Sequence, residues 1–147
     1  MRVREWMSPH LITAAPTTPV AEAREVMRRK RIRHLVVMEG EHLAGIITDR
    51  DIRLNLPSPA SSLSVWEVNY LLAKLTVGRA MSRSVITIDP DRPIAEAVDL
   101  MLEHKIGALP VTEGTRVVGI ITETDLLRAF ARMLGTRAEA ESVSGYP

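Results

Sequence analysis

The 147-residue chain contains no cysteine. Disulfides, thiolate nucleophiles and cysteine-ligated metal sites are therefore excluded. Aromatic residues are nearly as scarce, with two Trp, two Tyr and one Phe. Single-stranded nucleic acid is normally gripped by base-stacking platforms, and this chain has few to offer. No apolar run approaches the roughly 20 residues of a membrane-spanning helix. The N-terminal stretch MRVREWMSPHLITAAP lacks the continuous apolar centre of a secretory signal, so a soluble cytoplasmic protein is expected. A dominant charge is missing as well. The net charge is +1, which gives no general attraction to nucleic acid. The histidines, His10, His34, His42 and His104, fall in different segments without metal-ligand spacing. No Ser-His-Asp set or acid/base carboxylate pair is evident, so an enzyme is not expected.

Hydrophobic residues make up 46% of the chain, enough for a real core. The charge is unevenly spread. Residues 1–54 hold ten Lys/Arg and seven Asp/Glu, whereas residues 77–147 hold eight and ten. The excess is concentrated in Arg28-Arg29-Lys30-Arg31-Ile32-Arg33. For Arg28 to Arg31 the expectation is a solvated helix end, where cations suit the C-terminal dipole.

Slid by 74 positions, residues 7–54 fall on residues 81–128 without a gap. Met7-Ser8 meets Met81-Ser82, Pro16 and Pro19 meet Pro90 and Pro93, and Ala21-Glu22-Ala23 meets Ala95-Glu96-Ala97. The phrase Gly45-Ile46-Ile47-Thr48-Asp49-Arg50-Asp51 returns as Gly119-Ile120-Ile121-Thr122-Glu123-Thr124-Asp125. This is an internal duplication.

Each copy parses alike. A short extended piece, Leu11–Thr13 or Val85–Thr87, precedes a helix with Pro19 or Pro93 in its first turn. Val20, Ala23 and Met27, like Ile94, Ala97 and Met101, recur at helical spacing and are expected to face the core. Two β-branched strands follow in each copy, Leu35–Met38 with Leu43–Ile47 and Leu109–Thr112 with Val117–Ile121, turning at Glu39-Gly40 and Glu113-Gly114. A second helix begins after Thr48 or Thr122. The reading is an α+β chain of two β-α-β-β-α units. Repeat 1 covers 1–56, a linker loop and helix 57–76, repeat 2 77–134, and a small polar tail 135–147. In the linker, Leu63–Leu75 reads as a helix with Val65, Val68, Leu71, Leu72 and Leu75 on one side and a serine cap. Trp66 and Tyr70, at i and i+4, are expected to pack against each other.

Thr48-x-x-Asp51 and Thr122-x-x-Asp125 have two readings. As a capping box with Asp in the place of Glu or Gln, each explains itself without a ligand. As a binding site, the same atoms suit a nucleoside phosphate. A helix N-terminus favours an anion, and a carboxylate has two oxygens for the two hydroxyls of a ribose. Arg50 could add a bidentate grip on phosphate.

The duplicated β-α-β-β-α unit ending in G-h-h-T-x-x-D, with h hydrophobic, resembles the CBS domain pair, or Bateman module. The resemblance covers residues 1 to about 134 and is similar to stand-alone bacterial and archaeal pairs, including acetoin-utilisation-type regulators. It implies two repeats packed about a pseudo-twofold axis, with clefts for adenine nucleotides (AMP, ADP, ATP) or S-adenosylmethionine. It implies that Asp51 and Asp125 hold ribose beside Thr48 and Thr122. Thr13, Ala14 and Pro16, with Thr87, Ile88 and Pro90, would line the adenine pockets. Basic residues at the start of the first hairpin strand would face phosphate. Here the copies differ, with Arg33-His34 in the first and Gly107-Ala108 in the second. Val36 also stands where the second copy has the Pro110 common in the family. With Thr124 in place of Arg50 and Glu123 in place of Asp49, the second phrase is expected to have no nearby cation, and the two clefts to be unequal.

The leading functional expectation is therefore a regulatory sensor of an adenosyl ligand, with no tightly bound cofactor or metal. It is expected to form a homodimer and to modulate an unidentified protein. The alternatives are a ligand-free structural or interaction module whose phrases only cap helices, or a weak nucleic-acid binder.

Overall fold

The computed structural model describes residues 1–56 and 62–135. Most of the Pro/Ser-rich connector and the tail from residue 136 lie outside the described residues. The chain divides into two compact units. One gathers Leu11–Val85 with Gly114–Arg116; the other gathers Met1–His10, Ile86–Glu113 and the residues from Val117 on.

In the first of these, β1 (Thr13–Ala14) runs parallel to β2 (His34–Glu39), which pairs antiparallel with β3 (His42–Thr48). Between β1 and β2 lies α2 (Val20–Lys30), and α3 (Asp49–Leu54) follows β3 directly. Pro19 is the N-cap of α2, one position earlier than a first-turn proline. Val20, Ala23 and Met27 bury the apolar stripe of α2 against Leu35, Val37 and Ile47, alternate residues on one face of the hairpin. The basic run behaves as a helix end. Arg28, Arg29 and Lys30 fill the last turn and Arg31 closes it in the left-handed region at φ 54°. The hydrogen bond from Arg28 holds the Glu25 carboxyl below its ordinary pKa.

The linker helix, α4 (Val65–Lys74), starts at Ser64, whose hydroxyl accepts the Glu67 N–H at 3.2 Å. Its expected apolar stripe divides. Leu72 is buried and Val68 and Leu75 pack on the same core, while Val65 and Leu71 stay exposed. Trp66 and Tyr70 line one surface groove and are 83% and 59% exposed. Lys74 Nζ lies 4.7 Å from the Tyr70 ring centroid. Next, α5 (Val77–Ala80) buries Val77 in this core.

The second unit repeats the plan with α6 (Ile94–His104), β4 (Ala108–Glu113), β5 (Arg116–Thr122) and α7 (Glu123–Met133). Ile88 makes the parallel bridge to Val111 that corresponds to β1. Ala97 and Met101 of α6 pack on Leu109, Val111 and Ile121. The core also takes Val3 from α1 (Val3–Trp6), the counterpart of Val77. Arg4 ties α1 to this unit through Asp91 at 3.3 Å and Glu113 at 3.6 Å.

Sequence order and spatial grouping thus part company at the opening segment of each repeat. Ser8 exchanges two backbone hydrogen bonds with Ile120, at 2.9 and 3.0 Å, and Ser82 does the same with Ile46, at 2.9 and 3.0 Å. The opening residues of the first repeat thus pair with the second repeat's sheet, and those of the second with the first's. Unpaired edges of β3 and β5 are thereby covered locally.

This close approach explains the glycine of each phrase. A Cβ on Gly45 would stand 2.6 Å from Ser82 O and 2.7 Å from Met81 Sδ; one on Gly119 would stand 2.6 Å from Ser8 O. Gly45→Ala is expected to cost about 1–3 kcal/mol, as overpacking typically does. Urea denaturation checks this, with no loss of stability as the contrary result.

Candidate functional site

The end of β3 and the start of α3 are joined by a reciprocal cap. Thr48 N–H donates to Asp51 Oδ2 at 2.9 Å, and Asp51 N–H donates to Thr48 Oγ1 at 3.0 Å. The β2/β3 register places His34 opposite Thr48. The Asp49 N–H donates to Arg33 O at 2.9 Å. Arg33, His34, Thr48, Arg50 and Asp51 therefore gather at one end of one hairpin. Arg33 and Arg50 are exposed and make no ion pair with any described residue. Thr13 pairs with Val36, two residues from His34 along β2, or roughly 7 Å at normal strand rise.

Thr13 and Ala14 also edge a groove of ≈ 310 Å³ whose walls include Glu22, Val26, Leu35 and Met38. Thr48, Arg50 and Asp51 are not among its walls. The Pro16 carbonyl is already committed, accepting the Gly78 N–H at 2.9 Å. In this unit the strands bring the threonine, the aspartate and the cations together, while Thr13, Ala14 and Pro16 lie further along the sheet and the loop after β1.

The second copy has the same frame with a different lining. Thr122 N–H donates to Asp125 Oδ2 at 2.9 Å, and the Thr122 hydroxyl donates to that oxygen at 3.1 Å. Gly107 O accepts the Glu123 N–H at 3.0 Å, which sets Gly107 and Ala108 beside the start of α7. Thr87 is exposed, while Ile88 and Pro90 are buried. Ile88 gives its N–H to Pro110 O at 3.1 Å and takes the Thr112 N–H at 2.9 Å; the Pro90 carbonyl takes the Arg4 N–H at 2.8 Å.

One expectation is overturned here. The second phrase does have a nearby cation: Arg128 Nη1 lies 3.3 Å from Asp125 Oδ1. It comes from one turn further along α7, at i+3 from the aspartate, where side chains share a helix face. That spacing was readable once Asp125 was placed on a helix. A comparison confined to the seven-residue phrase stops three residues short of it. The counterpart in the first copy is Leu54, which is exposed. Among the described residues no cluster of His, Asp or Glu could hold a metal ion, and no helix is long and apolar enough to cross a membrane.

A family model described as CBS domain matches residues 3–58 and 77–132. A 33.4 kDa protein in a ribosomal RNA operon of Thermofilum pendens is 32% identical over 146 residues, covering 92% of this chain and 45% of its own length. The chain spans less than half of the first curated relatives it matches, 45% of that protein and 14% of the next. Among solved structures, a putative acetoin utilization protein from Vibrio cholerae superposes with TM-score 0.74 at 25% identity, covering 100% of this chain and 98% of that one. The CBS domain pair of protein MJ0100, solved with 5′-methylthioadenosine and S-adenosyl-L-methionine, superposes with TM-score 0.73 at 30% identity, covering 88% and 95%.

Both caps are made by the chain's own atoms. Thr48→Val and Thr122→Val are each expected to lower stability by about 0.5–2 kcal/mol, the ordinary worth of an N-cap side chain. Thermal melts of the ligand-free variants read this directly, and unchanged melting temperatures would refute it.

Proposed function

Because the chain belongs to the CBS domain family, we propose that it is a regulatory module that senses an adenosyl ligand. One observation carries the reading. Asp51 caps α3 with Oδ2 alone, and Oδ1 accepts no hydrogen bond from any described residue. The carboxylate thus serves the fold with one oxygen and keeps the other for a ribose hydroxyl. Oδ2 retains lone-pair capacity for the second hydroxyl. The guanidinium groups of Arg33 and Arg50, which pair with no acidic side chain among the described residues, favour a phosphorylated ligand at the same hairpin end. The MJ0100 pair, a structural relative, was solved with two adenosyl compounds. In the reading, Thr13, Ala14 and Pro16 border the adenine, and Thr87, Ile88 and Pro90 echo them in the second repeat.

The role is regulatory and non-catalytic. A ligand that prefers one shape of the module by about 1–3 kcal/mol transmits an ordinary allosteric coupling to a partner. Calorimetric titration with AMP, ATP and S-adenosylmethionine is expected to show AMP binding abolished in Asp51→Ala and retained in Asp125→Ala. The reverse pattern would place the phosphate-selective site in the other repeat. No heat and no thermal shift with any of the three would leave the phrases as helix caps only.

We also propose that the cytoplasmic form is a homodimer built on exposed helix faces. Leu127, Phe130 and Met133 of α7 are 67%, 56% and 65% exposed, and Leu102 of α6 is 72% exposed. Singly exposed apolar residues are ordinary, but several on neighbouring turns of one helix suggest a covered face. Light scattering is expected to give twice the chain mass for the native protein and the chain mass for Phe130→Glu. A native monomer would contradict this.

A further inference from the structure

The two aspartates differ in what remains available to a ligand. Asp125 is the more enclosed, its side chain 11% exposed. Its Oδ2 receives both the backbone N–H and the hydroxyl of Thr122, and its Oδ1 receives Arg128. Both oxygens are therefore engaged from within the chain. At Asp51 the hydroxyl of Thr48 accepts the Asp51 N–H, the Thr48 N–H donates to Oδ2, and Oδ1 has no described partner. The difference at Oδ1 traces to one aligned position, Arg128 against Leu54.

We propose that Arg128 is a specificity-determining residue of the second repeat, an internal competitor that occupies the carboxylate oxygen a ribose hydroxyl requires. This rests on reading the Thr-x-x-Asp phrases as nucleoside sites. A cis-diol that uses both carboxylate oxygens must share Oδ1 with the guanidinium or displace it. A ligand with one hydroxyl can reach Oδ2 by turning the rotatable Thr122 hydroxyl aside, and it leaves the guanidinium in place. An uncharged nucleoside meets the competitor in full, because it offers the released arginine no anion in exchange. Arg128 is 69% exposed, so the pair is partly screened by water. The handicap is accordingly modest, about three- to fivefold in affinity.

The experiment is calorimetric titration of the full chain with adenosine and with 2′-deoxyadenosine, which lacks one hydroxyl. In the Asp51→Ala background, adding Arg128→Leu is expected to tighten adenosine binding about three- to fivefold and to leave 2′-deoxyadenosine unchanged. Reciprocally, Leu54→Arg in the Asp125→Ala background is expected to weaken adenosine binding by a similar factor. Leu54 is 72% exposed and accommodates the longer side chain. Circular dichroism verifies that each variant is folded. Unchanged or weaker adenosine binding in Arg128→Leu overturns the proposal, as does equal tightening of both nucleosides, which would be a general pocket effect. If the native chain binds adenosine through Asp51 while Arg128→Leu has no effect, the competitor fails and the sensing reading stands. If no folded form binds either nucleoside, both fail together.

Discussion

The candidate sites depend on one reciprocal contact, the hydrogen bonds between a threonine that ends a strand and an aspartate three residues into the following helix. A helix start leaves four N–H groups without intrahelical partners. Here the Thr48 hydroxyl satisfies one, and the Asp51 carboxylate reaches back to the Thr48 N–H. The contact fixes the angle at which α3 leaves β3, and it fixes the carboxylate. A side chain held by the fold has little conformational freedom left to lose when a ligand arrives. The capping and binding interpretations are therefore not rivals, since the same bonds that stabilise the helix pre-position the acceptor.

The contact occurs twice because the chain is duplicated, and duplication frees one copy to drift. Drift is visible in the lining rather than in the frame. The strand-to-helix bonds Asp49 N–H to Arg33 O and Glu123 N–H to Gly107 O recur at 2.9 and 3.0 Å. Around them, Arg33, His34 and Arg50 give way to Gly107, Ala108 and Thr124, and a new cation arrives at Arg128. The second site thus exchanges cations beside the cap for one that sits on the carboxylate itself.

Much of this was legible in the sequence. The alignment of residues 7–54 on 81–128 revealed the repeat. The apolar spacing of Val20, Ala23 and Met27 placed the core face of α2, and the Thr-x-x-Asp phrases marked both helix starts. What escaped was non-local or dependent on register. Val3–Trp6 carries no helical periodicity of its own, being one turn long, and it is held by Val3 in the second unit's core. The exchange of Ser8 and Ser82 between sheets leaves no trace except Gly45 and Gly119, which are also plain strand residues by pattern. On α4 periodicity identifies an apolar face without saying how much of it packs within the chain: Leu72 is buried, while Val65 and Leu71 are exposed. Arg128 is the last aligned position, opposite Leu54, but it lies outside the seven-residue phrase, and only its place one turn along α7 brings it to Asp125.

The central claim, that the capping carboxylate of the first repeat is also the ligand grip, is tested most directly by following backbone amide resonances of the native chain during an AMP titration. The account predicts saturable shifts first at residues 33–34 and 48–51, with the Thr48 and Asp51 amides still protected from exchange at saturation because the cap persists. Shifts that begin at residues 122–125, or a folded chain with no shift at either phrase, would contradict it.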